Sequence, residues 1–197
     1  VQVDGSGTTT LNGAVNTNAI AGVNIINEAI AVNNSITTTG GGTVTLNADT
    51  ALSTGLVIAG AGDITADGTV NLTGAAGITT AGNVTTTADA VTYHSATTLT
   101  GDILIDTTSG DTAGNTVTFA STLNGGQSLG ITAGTAGDVQ FQNAVGGNTR
   151  LGAITITSAD NVTAGAVTAA SLVQVDGSGT TTLNGAVNTN AIAGVNI

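Results

Sequence analysis

His94 is the only histidine of the chain and sits in the run Tyr93-His94-Ser95. A hydrolase of the Ser-His-Asp type would have to use it as general base, yet no nucleophile-elbow pattern surrounds it. With Val91 and Tyr93 facing inward on a strand, His94 faces out, the position of an ordinary exposed side chain. One histidine and no cysteine also fall short of the nitrogen and sulfur ligands of a zinc site.

Carboxylates are the other candidates. Polysaccharide-cleaving enzymes cluster them on one face, and Asp63 with Asp67, or Asp102 with Asp106, are spaced to share a face or a corner. That spacing suits a local pair on a rim better than a cleft, and Arg150 is the one basic side chain that could meet an acidic sugar. No enzymatic activity is expected. Calcium takes six to eight oxygens. Asp106, Asp111 and Asn115, in a Gly-rich stretch, are the candidates to supply some of them, but neither the nonapeptide calcium repeat nor the EF-hand spacing is present. The expectation is therefore no cofactor, with calcium as the one ion to test.

The remaining acids read as a solubilising surface. The net charge is −11, from eleven Asp and Glu28 against one Arg. Nucleic acid is excluded as a partner, because binding it needs basic groups to neutralise phosphate. No run of 18 apolar residues is present, so membrane insertion is not expected.

The elements that position these residues are strands. Apolar residues make up 40% of the chain and aromatics 2%, with no Pro, Met, Trp or Cys. That is too apolar for a disordered chain and too poor in large side chains for an ordinary compact core. A thin core of Val, Ile, Leu and Ala reconciles the two. Thr is abundant and shares the branched shape that favours strands. Period-two alternation recurs, as in Thr43-Val44-Thr45-Leu46-Asn47 and Asp138-Val139-Gln140-Phe141-Gln142, and no segment keeps a helical spacing. The expected inward residues are Val44, Leu46, Ile64, Leu72, Val84, Val91, Leu99, Ile103, Ile105, Val117, Phe119, Val139, Phe141, Ile154, Ile156 and Val162.

Residues 1–25 and 173–197 are identical, letter for letter. The repeat unit is thus 172 residues, and the chain divides into one unit, 1–172, and the start of the next, 173–197. This reads as a window on a tandem array. Within the unit a shorter beat of Gly-Asp or Gly-Asn before a β-branched residue recurs at Asp63, Asn83, Asp102 and Asp138, with Asp160-Asn161-Val162 as a variant. A beat near 20 residues with strand-type filling predicts an all-β parallel β-helix (β-solenoid), with two or three strands per coil and eight or nine coils per unit. Coils stacked at about 4.8 Å would make a unit roughly 40 Å long. Asn12, Asn124 and Asn184, each followed by Gly, are candidate corner residues for amide ladders. A string of small β-sandwiches is the competing architecture.

The stretches Gly13-Ala14-Val15-Asn16-Thr17, Thr43-Val44-Thr45-Leu46-Asn47, Thr97-Thr98-Leu99-Thr100-Gly101-Asp102 and Asn143-Ala144-Val145-Gly146-Gly147 resemble the Thr/Gly/Val/Asn repeats of filamentous haemagglutinin-like and autotransporter-type bacterial adhesins. The resemblance is one of repeat texture and spans the whole chain. It implies a right-handed parallel β-helix, export to the bacterial surface and a fibrous role, and it brings no catalytic motif. The expected function is a structural repeat of a long extracellular β-solenoid fibre. Its expected partners are neighbouring repeats of the same chain or identical chains stacked end to end, with copied units keeping the stacking register unchanged.

An adhesin shaft with a lateral binding face for a host or surface ligand is the alternative. Its patch would use the rare side chains Tyr93, His94 and Arg150, with Phe141, and would require them to converge on one exposed face. A third reading comes from Thr-x-Thr triplets at 8–10, 37–39, 43–45, 85–87, 98–100, 116–118 and 155–157. Stacked in register on one face, they would make an ice-binding surface.

Overall fold

The computed structural model describes residues 1–51 and 54–197. Among the described residues every regular element is a strand, and every strand-to-strand ladder is parallel. The chain winds as a β-solenoid of about nine turns with about 22 residues per turn. Parallel pairing follows from the winding, since each strand meets its counterpart one coil later and running the same way.

Each coil has three faces. The first carries Thr8–Leu11, Ala29–Val32, Leu56–Ile58, Ile78–Thr80, Thr97–Leu99 and Leu123–Asn124. It continues through Val145, which bridges Leu123 on one side and Val167 on the other. The second face carries Val15–Thr17, Ile36–Thr38, Ile64–Ala66, Val84–Thr86, Ile103–Asp106, Leu129–Thr132 and Leu151–Ser158. The third carries Val23–Asn27, Val44–Ala48, Val70–Gly74, Val91–Tyr93, Val117–Phe119, Val139–Phe141, Val162–Ala164 and Thr181–Leu183.

The strand Val167–Gln174 turns a corner. Its first residues lie on Val145, on the first face, and Leu172 to Gln174 pair with Ile154 to Ile156 on the second. Consecutive burial of Ser171 and Leu172 marks the bend. Above it, Val187–Thr189 pairs with its first-face part and Val195–Asn196 with its second-face part.

The core is a single column. On most strands burial alternates strictly, as in Val44–Ala48 and Val70–Gly74, because successive side chains leave a strand on opposite sides. All sixteen residues expected inward are buried. Like stacks on like along the axis, for example Val23, Val44, Val70, Val91 and Val117 on the third face. At the 2→3 corner buried threonines replace aliphatics. Thr86 donates its hydroxyl to the Asp89 carbonyl at 2.5 Å and accepts the Asp89 amide at 3.2 Å. Thr107 does the same with Asn115, at 2.9 and 3.0 Å, so the corner peptides are satisfied without water.

Coil length varies around the expected beat. Val70 to Val91 is one coil, as is Val91 to Val117; the longer coil carries the 107–116 loop. The unit therefore holds fewer coils than the eight or nine expected. From 9–11 to its copy at 181–183 the chain passes 23 face segments, counting Val145 and both parts of Val167–Gln174. With three faces that is seven and two-thirds coils. The beat itself follows two corners instead of one. Asp63, Asn83 and Asp102 precede second-face strands, whereas Asp138 and Asn161 precede third-face strands, so the step from Asp102 to Asp138 is one and a third coils.

Candidate functional site

The rare side chains do not converge. Tyr93 is fully buried, which corrects its place in an exposed patch, and Phe141, expected inward, is 3% exposed. Their strands bring them onto one inward column of the third face. There Tyr93 stacks on Phe119 with ring centroids 4.7 Å apart, and Phe119 on Phe141 at 5.5 Å. The parity that exposes His94 is the parity that buries Tyr93. His94 is exposed at the end of the same strand, with Nε2 3.1 Å from the Asn71 Oδ1 one coil away.

Arg150 lies elsewhere, in the 146–150 loop after Val145. Its Nη1 donates to the carbonyls of Ala169 at 2.7 Å and Asn188 at 2.9 Å, and its Nη2 to the Asn188 Oδ1 at 3.0 Å. The one guanidinium of the chain is spent tying a strand of the last coil to the coil beneath it.

The carboxylates act along the axis. Asp63 Oδ1 accepts the Asn83 amide at 2.7 Å, and Asn83 Oδ1 accepts the Leu104 amide at 2.8 Å. Asp102 Oδ1 accepts the Ser128 amide at 2.6 Å. Asp138 Oδ1 accepts the Asn161 amide at 3.1 Å, and Asn161 Oδ1 the Thr180 amide at 2.9 Å. The short-range beat of the sequence is thus a set of corner oxygens, each closing a backbone donor of the next coil. The pairs Asp63/Asp67 and Asp102/Asp106 bracket single second-face strands, so each pair is held at opposite corners, roughly 13 Å apart along the strand rise.

Asp67 joins three coils: Oδ2 accepts the Gly41 amide at 2.9 Å and Oδ1 the Thr87 hydroxyl at 2.6 Å. The Thr87 hydroxyl, then the Gly41 amide, hold its carboxyl below the usual carboxylate value.

The calcium candidates are each engaged locally. Asp106 Oδ1 accepts the Thr108 amide and hydroxyl at 2.8 and 2.6 Å, Asp111 Oδ1 the Ala113 amide at 2.9 Å, and Asn115 Oδ1 the Thr116 amide at 2.8 Å. Among the described residues no three His, Cys, Asp or Glu side chains are grouped to hold a metal ion.

Of the corner asparagines, Asn12 forms an amide rung with Asn33 at 2.8 Å, while Asn124 instead accepts the backbone amides of Asn148 and Thr149. The threonine triplets are divided among the faces: 8–10 and 98–100 on the first, 37–39, 85–87 and 155–157 on the second, 43–45 and 116–118 on the third.

One motif escaped the reading of the sequence. Gly126-Gln127-Ser128-Leu129-Gly130 has the Gly-x-Ser-x-Gly spacing of a nucleophile elbow, a motif that works only between a strand and a helix. Here Ser128 opens a flat second-face strand, its amide held by Asp102, and no helix follows it. The concave spaces lie mainly at the two ends of the winding. One is lined by Leu11, Val15, Val23 and Ile25, another by Gln174, Val175, Thr181 and Ile197. Among the described residues no helix is long and apolar enough to cross a membrane. No family model, curated protein or solved structure matches the chain.

Proposed function

We propose that this chain is a structural segment of a long, exported β-solenoid fibre, whose partners are further units of the same kind wound onto its two ends. One observation carries the reading. Among the described residues, Val1, Val3, Ile20, Val175, Ile192, Val195 and Ile197 are exposed large apolar side chains of the terminal coils, and Leu104 is the one such residue between them. Strand edges at the ends of a parallel winding are templates for more of the same. The sequence of the first coil recurs in the last, so each end is chemically suited to a neighbour. In this role the acids serve as corner closures and as solubilising charge, and no catalytic group or resident metal is needed. The inward position of Tyr93 and Phe141 and the division of threonine triplets among three faces favour the mechanical role over lateral adhesion or ice binding.

The test is electron cryo-microscopy of the concentrated chain. Filaments with an axial layer spacing of about 4.8 Å are expected. A chain that stays monomeric at every concentration, with its end coils protected from exchange, would overturn the reading.

A further inference from the structure

The two copies of the 25-residue sequence lie on different faces of the winding. In the first copy, 9–11 is on the first face, 15–17 on the second and Val23 with Asn24 on the third. In the second copy, Thr181–Leu183 is on the third face, Val187–Thr189 on the first and Val195–Asn196 on the second. Gln2 bridges Ile25 on the third face, whereas its equivalent Gln174 pairs with Ile156 on the second. Every equivalent position is displaced by one face, in the same sense.

Several local features are nonetheless preserved. The Thr9 hydroxyl donates to the Gln2 Oε1 at 2.8 Å, and the Thr181 hydroxyl to the Gln174 Oε1 at 2.5 Å. Gly22 and Gly194 both have φ of 56°, closing the same turn onto the carbonyls of Ala19 and Ala191. Apart from the bend at Gly7, whose φ is 94° while that of Gly179 is not positive, these local features recur in both placements, and the count of preceding face segments decides where they lie. A unit of 23 segments on a three-faced winding leaves a remainder of two, so the next unit starts one face early.

We propose that consecutive units of this chain are wound with a turn of one face, a third of a revolution, between them. The full structural repeat is then three units and 23 coils, and at about 4.8 Å per coil one unit advances about 37 Å and three about 110 Å. Unit-specific surface features appear on each face in turn. The Arg150 loop, the exposed His94 and any ligand they meet follow a threefold screw around the fibre, and no side of the fibre is the side for all units. A neighbouring unit docks only in this rotated register, because its first strands find their partners one face round. The extension from one chain to a run of units rests on the proposed fibre role, but the turn is measurable in the single chain.

The chain has no cysteine, so introduced pairs report without background. Thr163 and Thr182 are exposed cross-coil partners on the third face in the rotated register. With no rotation, Thr182 would instead lie over Thr168 on the first face. Neighbouring strands hold Cα atoms about 4.8 Å apart, inside the range a disulfide spans. The 197-residue chain carrying T163C with T182C should close an intramolecular disulfide under mild oxidation, and T168C with T182C should not. Closure of the second pair, or of neither, overturns the proposal. This readout is made on monomer and is independent of filament formation, so failure of the fibre reading leaves it intact. In a chain of three or more tandem units, electron cryo-microscopy should show a rotation of about 120° per advance of about 37 Å; unrotated units would overturn the extension.

Discussion

The Tyr93 ring lies over the Phe119 ring, with centroids 4.7 Å apart and planes 14° from parallel. The stack, continued by Phe141, fills the third-face side of a core whose other apolar side chains are aliphatic. It also buries the Tyr93 hydroxyl, which has no hydrogen-bond partner among the described residues. An unpaired buried hydroxyl costs about 1–3 kcal/mol. Tyr93→Phe should therefore stabilise the chain by up to roughly that amount, seen as a higher denaturation midpoint with an unchanged slope. A lower midpoint would mean that the hydroxyl has a partner.

The same group gives a prediction at high pH. Burial pushes the Tyr93 phenol well above its usual value of 10.0. A raised pKa in the folded state means that its stability contribution is complete below pH 10.0 and is lost as pH rises beyond that value. The unfolded chain exposes a tyrosine that ionises there, and the folded chain holds it neutral. Melting temperature should fall above pH 10, and Tyr93→Phe should remove that fall. Equal alkaline sensitivity in the two proteins would place the effect elsewhere.

At low pH the relevant group is Asp67. Its pKa is depressed below 3.8 by the Thr87 hydroxyl and the Gly41 amide, so its contribution is present above pH 3.8 and lost as pH falls through the lower folded value. Asp67→Asn removes the titration while keeping an acceptor oxygen. Thermal melts from pH 6 to 2 should fall less steeply for the variant than for the parent. Superimposable profiles would show that the carboxylate is not held as described.

Arg150 ties Asn188 to the coil beneath through three hydrogen bonds. Arg150→Met keeps the aliphatic stem and loses all three. The neighbouring amides of Asn190 and Ala191, which donate to the Ala170 carbonyl, should exchange about fivefold faster, as expected for a local loss of roughly 1 kcal/mol in a partly exposed site. Amides of the central coils should be unaffected, since each coil depends mainly on its neighbours. Unchanged exchange at 190 and 191 would mean that the guanidinium does not hold the last coil.

Much of this molecule is legible in its sequence, because strand parity and corner chemistry are local. Alternation alone identifies Val44, Leu46, Val91 and Val117 as inward, and Gly-Asp or Gly-Asn steps identify Asp63, Asn83, Asp102, Asp138 and Asn161 as corner residues. The same parity places Tyr93, two residues from Val91, inward, and its burial leaves it unavailable to the exposed patch of the adhesin alternative. The function of the corner acids was not legible. Their oxygens serve amides about 20 to 26 residues away, a distance set by loop lengths that alternation does not report.

What the sequence by itself determined is the conformation of each short piece: which residues are extended, which side of the strand is apolar, and where the chain bends. The tertiary structure alone decided which face each piece occupies. The 25 residues that occur twice make the case, with one sequence, a shared Thr–Gln hydrogen bond and glycine turn, and two placements a face apart. A strand in a winding is positioned by what lies beneath it, and that depends on how many segments came before. Face is a cumulative property of the whole unit, and no window of the sequence contains it.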